Sequence, residues 1–132
     1  MPERANGILL DTSVVVAHLR GLINLQDLTA PGEPLFLPLV AVGELYKGAL
    51  KSNHPERNRL KIEEFLRVAA ILYLDLATAE AYARVADSLE ARGTPIPTND
   101  IWISAVAIEC DLPLATRDDH FQRVDGLLLL RW

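Results

Sequence analysis

The chain contains one cysteine, Cys110, in 132 residues, which excludes an intrachain disulfide and a thiolate metal centre. Its neighbours in "SAVAIECDL" place it in the core. No apolar run approaches the ~18 uninterrupted residues that span a bilayer. The opening "MPERANGILLD" lacks the apolar middle and small-residue cleavage site of a secretion signal, so a cytoplasmic location is expected. Neither a Gly-rich dinucleotide fingerprint nor a phosphate loop ending in GK[ST] is present, which counts against a nucleotide-binding module. Basic charge is also short, with 13 Lys and Arg against 18 Asp and Glu and a formal net charge of −5. That balance argues against gripping nucleic acid by bulk positive charge, because phosphate contacts come from Lys and Arg.

Apolar residues make up 50% of the chain and charged residues 23%, a balance that supports one folded domain over residues 1–132. "GILLD" (7–11) reads as a central strand, and Thr12 and Ser13 are placed to cap the helix "SVVVAHLR". A short helix in "LINLQDLTA", the turn "PGEP" (31–34) and the strand "LFLP" (35–38) follow. Val42, Leu45, Tyr46, Ala49 and Leu50 then recur at helical spacing. Residues 55–69 read as an amphipathic helix with Leu60, Ile62, Phe65 and Leu66 on its apolar side. "AILYLD" (70–75) is a third strand, and 77–93 a helix ended by Gly93. "DIWISAVAIEC" (100–110) is a helix apolar nearly all round, followed by strands at 113–116 and 127–131. Strands alternating with helices across long connections indicate an α/β fold, a central and mainly parallel sheet of four to five strands covered by helices on both faces.

In such sheets, ligands gather beyond the carboxyl ends of the strands. Asp11 and Asp118 follow strands there, Asp100 opens the buried helix, and Glu44 lies in the helix after the second strand. Each has a plain alternative: a local turn bond for Asp11, a first-turn helix residue for Asp100, solvated charges for Glu44 and Asp118. Taken together, three or four carboxylates converging without cations would repel one another, so a cluster implies bound metal. Oxygen donors without cysteine favour Mg²⁺ or Mn²⁺ over Zn²⁺. Such a metal answers the charge objection, because it turns a repulsive pocket into a phosphate site.

"LLDTSVVV", "VGELYKGAL", "TNDIWISAVA" and "LATRDDHF", in this order, resemble the PIN-domain family, and especially the VapC-type toxins of toxin–antitoxin pairs. The resemblance covers nearly the whole chain; the segment around Glu44 is its least distinctive part. It implies a three-layer α/β/α fold and a metal-dependent endoribonuclease whose catalytic and metal-ligating residues correspond to Asp11, Glu44, Asp100 and Asp118, leaving 5′-phosphate and 3′-hydroxyl ends. The family's final motif places its acid after Thr-x, which selects Asp118 and leaves Asp119 as an auxiliary ligand. Thr12, Ser104 and Thr116 look like supporting hydroxyls, with capping or core packing as the alternative. Arg117 is the basic residue best placed for the substrate backbone, with Lys47 and Lys51 behind it, and solvated surface charge is the alternative for all three. His120 reads first as an ordinary loop histidine, and otherwise as a group that contacts substrate or orients Asp118.

The resemblance further implies a homodimer and a small antitoxin that blocks the site, with Val15, Leu19 and Leu22 as docking residues if they are not core. Two rivals stand. A signalling receiver domain has a similar sheet and an acidic Mg²⁺ pocket, with Asp75 in "LYLD" as its only counterpart to the acceptor carboxylate and Arg131 where a Lys is needed. The other is a catalytically silent interaction domain.

Overall fold

The computed structural model describes residues 6–132; the sequence-based reading of the first five residues lies outside it. β1 (Ile8–Leu10) is followed by α1 (Thr12–Leu19), α2 (Leu25–Leu28), β2 (Leu35–Pro38), α3 (Leu39–Lys51), α4 (Pro55–Phe65) and β3 (Ala70–Leu72). Next come α5 (Leu76–Arg92), α6 (Thr98–Glu109), β4 (Leu114–Thr116), a 3-10 turn (Asp119–Arg123) and β5 (Leu129–Arg131). The five strands pair in the order β3-β2-β1-β4-β5, all parallel.

Alternation along β1 explains the layers. Ile8 and Leu10 face a cluster built with Val14, Leu37, Val42, Leu45, Ile62 and Phe65, which seats α1, α3 and α4 on one side of the sheet. Leu9 points the other way, with Leu114, against Ile103, Val106 and Phe121, and so seats α6. Val85 and Leu89 of α5 pack with Ile101 of α6 in a further apolar cluster, so α5 is held through α6. The result is the three-layer α/β/α arrangement with a fully parallel sheet. Leu9 has no exposed surface, and its truncation to Ala would cost ~2–5 kcal/mol.

Local signals set the helix ends. Asp75 and Thr78 form a reciprocal capping box at the start of α5, and Gly93 ends that helix in the left-handed region at φ 66°, which glycine adopts without a Cβ penalty. Gly7, at φ 123°, leads into β1 beneath the Phe36 ring; a Cβ there would stand 2.5 Å from the ring and 2.9 Å from the Pro34 carbonyl oxygen.

Three expectations about burial are corrected. Leu50 is 77% exposed and Leu60 59% exposed: the packing of α3 on α4 leaves both side chains open to solvent. Cys110 is only half-buried, because it caps the C-terminal end of α6, where its thiol donates to Glu109 Oε2 at 3.0 Å.

No described helix is long and apolar enough to cross a membrane.

Candidate active site

β1 and β4 are neighbours whose outgoing chains diverge, α1 leading towards β2 and the 3-10 turn towards β5. The crevice where such connections part is where parallel sheets bind ligands, and the acids stand around it. Asp11, directly after β1, is 4% exposed, and Asp100, in the first turn of α6, is 8% exposed. Asp118 follows β4, and Glu44 is half-buried on α3.

Hydroxyl groups hold two of these carboxylates. Ser13 Oγ donates to Asp11 Oδ2 at 2.7 Å, and Thr116 Oγ1 donates to the same oxygen at 2.9 Å. Thr12 Oγ1 donates to Glu44 Oε1 at 2.8 Å and so joins α1 to α3. Thr12 and Ser13 therefore do not cap α1 as expected, and its N-terminus has no side-chain cap bond. Each hydroxyl gives its proton to a carboxylate in a charge-assisted bond, and the orientation this sets turns the lone pairs of Ser13 to the Arg117 amide rather than to α1. Asp118 Oδ1 accepts the His120 main-chain N–H at 2.9 Å, which starts the 3-10 turn.

Asp100 and Asp11 feel the charge of the acids around them. Burial pushes the Asp100 carboxyl up to about 6, and the charges of Asp11, Asp118 and Glu44 push the same way, while His120 opposes them. Burial also raises Asp11, against the lowering effect of the Ser13 and Thr116 hydroxyls and of the Thr12 main-chain N–H; Asp118 adds to the rise. Among the described residues, no Lys or Arg forms an ion pair with any of the four.

His120 departs from the loop reading favoured by sequence. Its Nδ1 stands 2.8 Å from Asp118 Oδ1 and 3.8 Å from Asp100 Oδ2, yet this buried nitrogen is not aligned for a hydrogen bond to either. One ligand atom from each of Asp100, Asp118 and His120 falls within 4.8 Å of the others. With Glu44, Thr98 and Asn99 these residues line an open concavity of about 420 Å³. Buried, mutually repelling carboxylates beside a single imidazole form a donor set suited to a hard or borderline divalent cation; the missing charge is positive.

Other sequence candidates lie differently. Ser104 is fully buried and donates to the Asp100 main-chain oxygen at 2.8 Å rather than to its carboxylate. Arg117 is exposed and sends its guanidinium to the Trp132 main-chain oxygen at 3.1 Å, away from the acids. Lys47 and Lys51 are exposed on α3, outside the concavity. Asp119 pairs with Arg131. Val15 is core, with no exposed surface, whereas Leu22 is 68% exposed. Leu19 lines a cleft of about 350 Å³ between α1, α3 and α4, floored by Val16, Leu45 and Ile62 and flanked by Arg20 and Lys61. Glu44 borders both this cleft and the acidic concavity. Ser13 is the site residue that sequence reasoning missed as such; its position two residues after Asp11, on the first turn of a helix, was the available signal.

Comparison with known proteins agrees with this arrangement. The PIN domain family profile matches residues 8–127. Ribonuclease VapC2 of Haemophilus influenzae is 33% identical over 127 residues, covering 94% of this chain and 96% of that protein. The crystal structure of VapBC2 from Rickettsia felis, bound to a DNA fragment from its promoter, superposes with a TM-score of 0.88 at 25% identity, over 95% of this chain and 98% of that one. VapBC-1 from nontypeable Haemophilus influenzae superposes with a TM-score of 0.84 at 26% identity, over 95% and 97% of the two chains. A profile match across almost the whole sheet, together with acids gathered at its crevice, assigns this chain to the PIN domain family, among its VapC-type members.

Proposed function

We propose that the chain, a single PIN domain over residues 1–132, is a Mg²⁺- or Mn²⁺-dependent endoribonuclease, the toxin of a cytoplasmic toxin–antitoxin pair. The observation that carries this reading is the approach of Asp11, Glu44 and Asp118 to Asp100, whose carboxyl their charges push up, with no Lys or Arg among the described residues paired to any of the four. Ribonuclease VapC2, the relative named above, shares nearly its full length with the chain.

Asp11, Asp100 and Asp118 would hold the cation, with Glu44 at the rim and His120 beside Asp118. The bound metal would supply an acidified water and charge stabilisation for phosphodiester hydrolysis. In that reaction water adds to phosphorus and the P–O3′ bond breaks, leaving 5′-phosphate and 3′-hydroxyl ends. The protein's own residues prepare the site. Thr12 keeps the Glu44 carboxylate turned towards α1, and Ser13 and Thr116 keep that of Asp11 against β4. Asp100, with its carboxyl raised to about 6, holds a proton more readily than an ordinary carboxyl and releases it when positive charge arrives.

The cleft that runs from Glu44 between α1, α3 and α4 suits an antitoxin segment: its floor is apolar, and Arg20 and Lys61 stand on its walls. Exposed Leu39 and Tyr73 directly follow the paired residues Pro38 and Leu72 at the β3 side of the sheet, an apolar surface suited to a second copy in a homodimer.

Purified protein incubated with RNA and Mn²⁺ tests the reading, with end mapping of the products. Cleavage in Mn²⁺ that stops with chelator and is absent from a folded Asp11→Asn variant supports it. A wild-type protein that neither binds Mn²⁺ nor cuts RNA would reject it in favour of a silent interaction domain. Copurification with the coexpressed product of the neighbouring gene tests the antitoxin.

A further inference from the structure

Two hydroxyl groups join the exit of β1 to the exit of β4 through matching bonds. Ser13 Oγ donates to Asp11 Oδ2 at 2.7 Å and accepts the Arg117 main-chain N–H at 3.0 Å. Thr116 Oγ1 donates to the same Oδ2 at 2.9 Å and accepts the Asp118 main-chain N–H at 2.9 Å. A hydroxyl has one proton and two lone pairs. With the proton committed to the carboxylate, the lone pairs are left to the amides, so both relays run in the same direction. They come from different elements, Ser13 from α1 and Thr116 from β4.

We propose that Ser13 is a positioning residue that, paired with Thr116, fixes Asp11 relative to Asp118 before a cation binds. The proposal rests on the metal-site reading above. A single donor would leave the Asp11 carboxylate free to turn about its Cβ–Cγ bond. Two donors on one oxygen, approaching from separate elements, remove that freedom and leave the other oxygen clear of both hydroxyls. The same two groups hold the successive amides that lead into Asp118. Loss of the Ser13 hydroxyl releases the Arg117 amide and loosens the turn that aims the Asp118 carboxylate. A capping role does not account for Ser13, since its oxygen meets no amide of the α1 first turn. Groups that orient metal ligands in this way commonly change metal affinity when removed, although they never touch the ion.

The test is calorimetric titration of Mn²⁺ alone into wild type, Ser13→Ala and Ser13→Thr, with hydrogen exchange at the Arg117 amide measured on the metal-free proteins. Ser13→Ala is expected to weaken Mn²⁺ binding about tenfold and to speed Arg117 exchange. Ser13→Thr, which keeps the hydroxyl, returns both to within about threefold of wild type on the same grounds. Wild-type Mn²⁺ affinity in Ser13→Ala overturns the proposal, as does weakened binding with Arg117 exchange unchanged, or failure of the Thr variant to restore either property. In all those outcomes the metal-site reading stands. If wild type itself binds no Mn²⁺, that reading fails and takes this proposal with it.

Discussion

Asp11 and Asp75 occupy the same kind of local position: each follows a strand and stands at the N-cap of the next helix. Their surroundings send them in opposite directions. Asp75 is exposed beyond β3, where its carboxylate accepts the Thr78 amide and hydroxyl, each at 3.0 Å, which hold it below the usual carboxylate range. Asp11 is buried beside the central crevice, accepts hydroxyls from two separate elements, and is raised by burial. One carboxylate caps its own helix; the other is held at the crevice by hydroxyls from α1 and β4. The difference lies in strand position. β3 is at the edge of the sheet, whereas β1 lies between β2 and β4, so only Asp11 has acids from other elements within reach. This also disposes of the receiver-domain alternative, whose acceptor carboxylate would be Asp75: that side chain is committed to its capping box.

The comparison breaks most sharply at activity. Asp11→Asn is expected to lower Mn²⁺-dependent RNA cleavage on the order of 100-fold or more, while Asp75→Asn stays within about twofold of wild type; equal losses would show that the two aspartates do not differ in role. A smaller effect is expected from Thr12→Val, which frees the Glu44 carboxylate: cleavage should fall about tenfold with the circular dichroism spectrum unchanged. An unaltered rate would remove Glu44 from the machinery.

Stability sharpens the contrast further. The folded-state pKa of Asp100 lies near 6, above its ordinary 3.8, so the fold binds this proton more tightly than the unfolded chain does. That contribution is fully present below 3.8 and is lost as pH rises through 6. Metal-free Asp100→Asn should therefore melt ~3–6 °C higher than wild type at pH 7.5, the gain disappearing near pH 4 and reversing on addition of Mn²⁺. A gain independent of pH would point to packing rather than charge. The smallest effect is expected from Asp75→Ala, which should lower the melting temperature by ~2–3 °C at neutral pH through loss of the helix cap. The lowered pKa gives the opposite sign to Asp100: the stabilisation is present above 3.8 and fades as pH falls below it.

Much of the fold was legible because its signals are local. Gly93 marks the end of α5, Pro55 opens α4, and the continuous apolar run before Asp11 announces a strand covered on both faces. The acids were legible through their places at strand exits and helix starts. Burial on the outer turns of α3 and α4 was less so: Leu50 and Leu60 have apolar side chains at nearly the right spacing, and only the crossing of the two helices decides which side faces inward. The hydroxyl network was harder still. Thr12 and Ser13 in a "DTS" segment read as caps because capping needs only neighbours, whereas the distant partners they meet, the Glu44 carboxylate that accepts from Thr12 and the Arg117 amide that donates to Ser13, depend on the course of α3 and β4. His120 has no local signal for its orientation towards Asp118 and Asp100, since a 3-10 turn after β4 had not been anticipated.

Gly7 carries a consequence for the whole crevice. Ile8, Leu9 and Leu10 are nearly interchangeable in oiliness, so hydrophobicity alone would tolerate β1 sliding by one residue against β2 and β4. The slide would carry Asp11 about 3.3 Å along the strand and turn it to the opposite face. The absent side chain at position 7, pressed beneath Phe36 and the Pro34 carbonyl, is a mechanical stop at one end of the strand, as the buried carboxylate is at the other. A methyl group far from any reacting atom thus has a route to misalign the chemistry.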